Sequence, residues 1–134
     1  PLSRRYADTV FIALTARITA RYTSEDPEPY RAETLAAACD LPLRQTQEAL
    51  SQLTRMGVLI EVNYGKDEVM GGYYYPNIAP DRLTLGVLLD HIDRFGGELL
   101  SLKPQGVHAA AWQARTRAYA AVRERADVLL RDLV

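Results

Sequence analysis

Catalysis in a small protein is usually carried by histidines, cysteines and clustered carboxylates, and this chain holds two histidines, His91 and His108, and one cysteine, Cys39. Metal-dependent hydrolysis needs carboxylates and imidazoles close enough to hold a cation that activates water. No His-x-His spacing occurs, and neither histidine has an Asp or Glu cluster around it. Cys39 cannot form an internal disulfide; it lies in LAAACD, which reads as helix, so it is expected to be a small buried side chain in a reducing compartment. The residue types point away from an enzyme and require no cofactor or metal. What remains is recognition chemistry. Arg44, Gln45 and Gln47 fall on one helical segment and could approach base edges, with Lys66 reaching a neighbouring phosphate.

Those side chains need a helix and a loop to hold them. Apolar residues recur every three or four positions through Ala7, Val10, Phe11, Leu14, Ile18 and Tyr22, which predicts an amphipathic helix over about 3–22. SEDPEP, with two prolines and three carboxylates, is a loop. A short helix over about 32–39 follows. Proline after Leu41 then opens a third helix over about 43–56, whose inner stripe is Leu43, Thr46, Leu50 and Leu53 and whose end is Gly57. VLIEV alternates and YYYP is rich in strand formers, so a hairpin is expected over about 58–76, with the polar loop YGKDEVMGG between its strands. Because alternate strand residues face opposite ways, at most two of Tyr73, Tyr74 and Tyr75 can share a side, which disfavours a base-stacking platform. Thr84 caps a fourth helix over about 85–95.

Residues 98–106 read as a linker, and 107–134 as one long helix in which Trp112, Tyr119, Ala126 and Leu133 recur every seven residues with Val122 and Leu129 between. That seam, Trp112, Tyr119, Val122, Leu129 and Leu133, needs a covering surface, from the same domain or a second copy. The fold class is therefore mainly α: a winged helix-turn-helix over 1–97 with a small antiparallel hairpin, an N-terminal helix and a long C-terminal helix.

Charge turns the expectation away from nucleic acid. The whole chain carries 16 Lys and Arg against 17 Asp and Glu, net −1, whereas duplex binding draws on a basic excess. Between Tyr30 and Pro80, Arg31, Arg44, Arg55 and Lys66 stand against Glu33, Asp40, Glu48, Glu61, Asp67 and Glu68, and the hairpin tip KDE is net acidic. No apolar run approaches the length of a membrane span, so the chain reads as soluble in itself. It begins at Pro1 rather than Met and reads as a piece of a larger protein.

Two family resemblances follow from quoted segments. GGYYYPNIAPDRLTLGVLLDHID is similar to the wing and following helix of Rrf2-type transcription regulators, which carry a GGY wing and an I/L-T-L helix start. The members that sense iron-sulfur clusters use three clustered cysteines, and only Cys39 is present here. Over nearly its whole length, through LSRRYADTVFIAL, PYRAETLAAACDLPLRQTQEALSQLTRMGVLIEV, RLTLGVLLDHIDRFGGE and the helix from Trp112 to DLV, the chain resembles the C-terminal domain of YihY/BrkB inner-membrane proteins, formerly labelled ribonuclease BN. That resemblance implies a non-catalytic interaction or regulatory domain on the cytoplasmic side of the inner membrane. Its partner would be its own membrane portion or a second copy; the ribonuclease label finds no support in the residues. The alternative is a DNA-binding winged-helix regulator of the Rrf2 type, in which Arg44, Gln45, Gln47 and Lys66 touch DNA.

Overall fold

The computed structural model describes residues 3–65, 71–95 and 106–134. Helix α1 spans Arg4–Tyr22, α2 Ala32–Ala38 and α3 Leu43–Arg55; strands β1 (Leu59–Val62) and β2 (Tyr73–Pro76) follow, then α4 (Leu85–Arg94) and α5 (Ala109–Arg125). Short 3-10 turns at Gly106–His108 and Leu130–Leu133 flank α5. The architecture is the expected mainly helical one with a two-stranded antiparallel hairpin.

Local chemistry accounts for the element ends. Ser3 caps α1, its Oγ accepting from the Tyr6 amide at 3.2 Å, and Thr84 does the same for α4 with the Val87 amide at 3.1 Å. Asp40, at φ 52°, makes the left-handed turn between α2 and α3 that the short polar side chain of aspartate tolerates. Gly57, at φ 81°, ends α3 and swings the chain into β1. The core then closes around Leu14 and Ile18 of α1, Leu35 of α2, Leu50 and Leu53 of α3, Val58 and Leu59, Leu83, Leu88 of α4 and Leu130, all with at most 2 % of their surface exposed. Burying each such side chain contributes about 1.5–3 kcal/mol, so this cluster is what fixes α3 against α1.

In the hairpin, Leu59 pairs with Pro76, Ile60 with Tyr75, Glu61 with Tyr74 and Val62 with Tyr73. The core-side face holds Leu59 and Tyr74, whose hydroxyl donates to Glu61 at 2.8 Å. The other face gathers Tyr73 and Tyr75, as alternation requires; Tyr75 shares a 2.8 Å hydrogen bond with Tyr64 and packs edge-on to Tyr22. That hydrogen bond is the main reason the Tyr75 phenol is pushed up to about 12. Outside the named strands, Tyr30 bridges Tyr74, its carbonyl accepting from the Tyr74 amide at 3.0 Å, which ties the hairpin to the chain entering α2.

The C-terminal region departs from expectation. The helix predicted to reach Val134 ends at Arg125, and Ala126 leaves the helical region at φ −95°, ψ 56°. The chain doubles back beside the start of α4: Leu85 and Gly86 amides donate to Val128 and Ala126 carbonyls at 2.9 and 2.8 Å, and Leu130 donates to Leu83 at 3.0 Å. These bonds, with full burial of Leu130, outweigh another two turns of exposed helix. The seven-residue spacing is therefore broken, and Leu129 and Leu133 do not continue the stripe of Trp112, Tyr119 and Val122. Of the expected linker, 98–105 lies outside the described residues; the fourth helix ends at Arg94, with Phe95 already extended at ψ 127°.

Helix α5 buries no residue and rests on α4 through ion pairs: Arg115 with Asp93, and Arg123 with Asp90. The hydrogen bond from Arg115 holds the Asp93 carboxyl below the aspartate value of 3.8, outweighing burial, with Arg4 and Arg123 adding to the effect. A depressed carboxylate stabilises fully above its unfolded value and loses that contribution as pH falls through the lower folded one. Acid titration followed by the fluorescence of Trp112, the chain's one tryptophan, should show α5 loosening below about pH 4. In Asp93→Asn that transition should vanish.

One core hydroxyl is poorly served. Thr15 Oγ1 is buried and meets no hydrogen-bond partner among the described residues, whereas the neighbouring Thr19 hydroxyl donates to the Thr15 carbonyl at 2.7 Å. Removing an unmatched buried hydroxyl in favour of a methyl of the same shape is stabilising. Thr15→Val should raise the free energy of unfolding by about 1 kcal/mol, read by chemical denaturation.

Candidate nucleic-acid interface

Helix α3 shows the strongest amphipathic division in the chain. Thr46, Ala49, Leu50 and Leu53 are buried, and Arg44, Gln47, Glu48, Ser51, Gln52 and Arg55 are exposed. The Arg44 side chain is 90 % exposed and makes a 3.6 Å i,i+4 pair with Glu48. A pair so open to water holds the arginine weakly, leaving it available for a stronger anion. Gln47 and Ser51 lie on the same side, one turn apart, with donors and acceptors suited to base edges. Gln45 is turned away from this face, toward α1, where its Oε1 accepts from the Tyr6 hydroxyl at 3.5 Å. The structure therefore groups Arg44 with Gln47 and separates Gln45 from them. Lys66 lies outside the described residues, as does the acidic tip Asp67 and Glu68.

Arg31, which the sequence did not single out, precedes α2 at the foot of the hairpin. Its guanidinium lies 4.3 Å from the centre of the Tyr73 ring, donates to the Tyr73 hydroxyl at 2.9 Å and to the Gly71 carbonyl at 3.3 Å. A cation is thus held where the second strand leaves the wing, next to the helix-turn-helix. Its only sequence signal was an arginine directly before a short helix, too common a pattern to select.

Part of the acidic charge in the whole-chain sum is engaged elsewhere, while Glu33 and Asp40 stay exposed and Asp67 and Glu68 lie outside the described residues. Glu61 accepts from the Tyr74 hydroxyl and from the Gly72 amide at 3.3 Å; Asp90 and Asp93 are tied to arginines of α5. On the outer face of α3, Glu48 is the one carboxylate beside Arg44 and Arg55. The balance of the face differs from that of the chain because a sum over sequence mixes surfaces that point in different directions.

No metal or redox site competes for this role among the described residues: no group of three His, Cys, Asp or Glu side chains converges. Burial pushes the Cys39 thiol up, only partly offset by Arg17, so the reactive thiolate is disfavoured. Along α5, Trp112, Tyr119 and Val122 remain 50, 37 and 57 % exposed, with the Arg115 guanidinium 4.1 Å from the Tyr119 ring centre.

No protein-family description and no curated protein matches the chain. Solved structures do. CymR of Staphylococcus aureus is 17 % identical with a TM-score of 0.58, covering 96 % of this chain and 94 % of its own. T. potens IscR is 16 % identical with a TM-score of 0.61, covering 99 % and 85 %. CymR of B. subtilis, described as its global cysteine regulator, is 22 % identical with a TM-score of 0.55, covering 99 % and 95 %. At these identities the likeness is one of fold, and it confirms the winged-helix architecture. It overturns the expected origin in a YihY/BrkB-type membrane protein, because regulators account for the chain almost end to end. Among the described residues no helix is long and apolar enough to cross a membrane.

Proposed function

We propose that the chain is a DNA-binding transcription regulator of the Rrf2-like winged-helix type, without chemistry of its own, and that it acts as a dimer. The observation that carries the reading is the outer face of α3, where Arg44, Gln47 and Ser51 stand exposed on a helix whose other side is locked into the core. Helix α3 enters the major groove, Arg44 leaves Glu48 for a phosphate or a guanine edge, and Gln47 reads a neighbouring base. Arg31 and the wing flank the duplex. The fold neighbours CymR and IscR support this assignment by architecture, and the near-neutral net charge does not oppose it, since counterion release depends on the cations that face the phosphates.

Dimerisation is supported by α5. A helix with no buried residue and with Trp112, Tyr119 and Val122 open to water gains stability only when another apolar surface covers it, and a two-fold partner supplies the same surface in return. Two copies related in this way present two α3 helices to half-sites about one helical turn apart, or a multiple of it. Val122→Arg should shift sedimentation from dimer to monomer and weaken DNA binding, with circular dichroism unchanged. Selection from random duplexes tests the function itself: enrichment of an inverted repeat is expected, and recovery of unselected sequences would contradict it.

A further inference from the structure

Between α1 and α3 lies a cleft of about 330 Å³. Its floor is Val10, Phe11 and Ala49, each less than a tenth exposed, with Ala7 beside them; its rim is Gln45, Glu48 and Gln52. We propose that this cleft binds a small organic ammonium compound, a protonated amine on a short apolar body, and that its occupancy is transmitted to the DNA-facing side of α3. The transmission rests on the DNA-binding reading; the binding does not.

The lining decides the class of ligand. A space of this size with apolar walls and a few polar groups at one edge suits a small molecule. The polar edge consists of one carboxylate and two carboxamides, and among the described residues no lysine or arginine lines the cleft, so an anionic ligand would meet Glu48 without compensation. An ammonium has three donors and no acceptor, and Glu48 with the amide oxygens of Gln45 and Gln52 offers acceptors for them. Glu48 and Gln45 are only weakly committed: Glu48 faces Arg44 across 3.6 Å in the open, and Gln45 receives the Tyr6 hydroxyl at a long 3.5 Å. A charge-assisted bond to an ammonium whose apolar body lies on Phe11 and Val10 is shorter and better shielded from water than either.

Glu48 sits at the border between the cleft and the outer face of α3. When an ammonium takes its carboxylate, Arg44 loses its intramolecular partner and a negative charge beside the phosphates is neutralised. Occupancy therefore tightens DNA binding and adds about one ion to the salt dependence.

Calorimetric titration of the full chain without DNA, using benzylamine at neutral pH as the probe and benzyl alcohol and benzoate as isosteric controls, tests the site. Benzylammonium should bind about tenfold or more tightly than benzyl alcohol, and benzoate should not bind. Glu48→Gln should lose about tenfold, and Ala49→Leu, which fills the floor, should abolish binding with the helical circular dichroism retained. Equal affinities for the three probes, no heat with benzylammonium, or an unaffected Glu48→Gln would overturn the site. A second arm measures duplex binding with and without benzylammonium: a steeper salt dependence supports the coupling, and an unchanged one overturns it. Failure of DNA binding in all conditions would strike the regulator reading and leave the calorimetric result standing.

Discussion

Arg44→Glu should lower affinity for duplex DNA roughly a hundredfold at moderate salt, measured by fluorescence anisotropy. Two effects add. The arginine contact itself, to a phosphate or a guanine edge, is worth about 1–3 kcal/mol, and the new carboxylate stands beside Glu48, one helical turn on, facing the polyanion. The fold should not suffer, because the Arg44 side chain is 90 % exposed and its pairing with Glu48 contributes little. The same charge reversal at Arg117, exposed on the side of α5 opposite Trp112, Tyr119 and Val122, is the matched control: it belongs neither to the α3 face nor to the apolar stripe offered to a second copy, and its effect should be small once salt screens distant charges. A comparable loss from both variants would mean that only bulk charge matters.

The second large effect concerns the chain's last turn. Leu130→Ala should cost about 2–5 kcal/mol of unfolding free energy, a large part of the stability of a domain this size. Leu130 is completely buried, and the turn Leu130–Leu133 packs on α1, so truncation leaves a cavity between the N-terminal helix and the start of α4. Leu133, in the same turn but 48 % exposed, supplies the contrast: Leu133→Ala should change stability by less than about 0.5 kcal/mol. The neighbouring backbone makes the same point. A Cβ on Gly86 would stand 2.7 Å from the Arg123 carbonyl oxygen and 3.1 Å from that of Ala126, so the returning segment needs glycine there to approach α4.

The difference between Leu130 and Leu133 also shows where the sequence was legible and where it was not. Helices α1, α3 and α4 and the hairpin follow from periodicities of three to four and of two, with Gly57 closing α3 and Thr84 opening α4. The end of α5 carries no such mark. Ala126 and Asp127 are neither proline nor glycine, and the break there is imposed by tertiary hydrogen bonds to Leu85 and Gly86, so the apolar spacing continued on paper past the point where the helix stops. Tyr22 illustrates the reverse: it fits the apolar stripe of α1 but is 47 % exposed, held against Tyr75 at the rim.

The site was half legible. Arg44 and Gln47 share the exposed face of α3, while Gln45, one residue from Arg44, was expected beside them and instead lines the cleft with α1. A helix turns 100° per residue, so the division between an outer face and a packing flank depends on where α1 sits, which no local pattern reports. The judgement against nucleic acid finds no support in the fold, for a related reason. Charges were summed along the chain, whereas the fold places Glu61 in a hydrogen-bond set with Tyr74 and Gly72 and sends Asp90 and Asp93 to the arginines of α5. The segments taken as signs of a membrane protein, such as LSRRYADTVFIAL and the run through LTRMGVLIEV, are the apolar stripes and turn residues that a winged helix requires, and they carry fold more than ancestry.

Salt titration of the unmodified chain on a duplex recovered by selection tests the central claim most directly. The account predicts that log K falls linearly with log salt between about 50 and 200 mM, with a slope corresponding to several phosphate contacts per dimer. An affinity that does not change with salt, or no binding at the lowest salt, would contradict it.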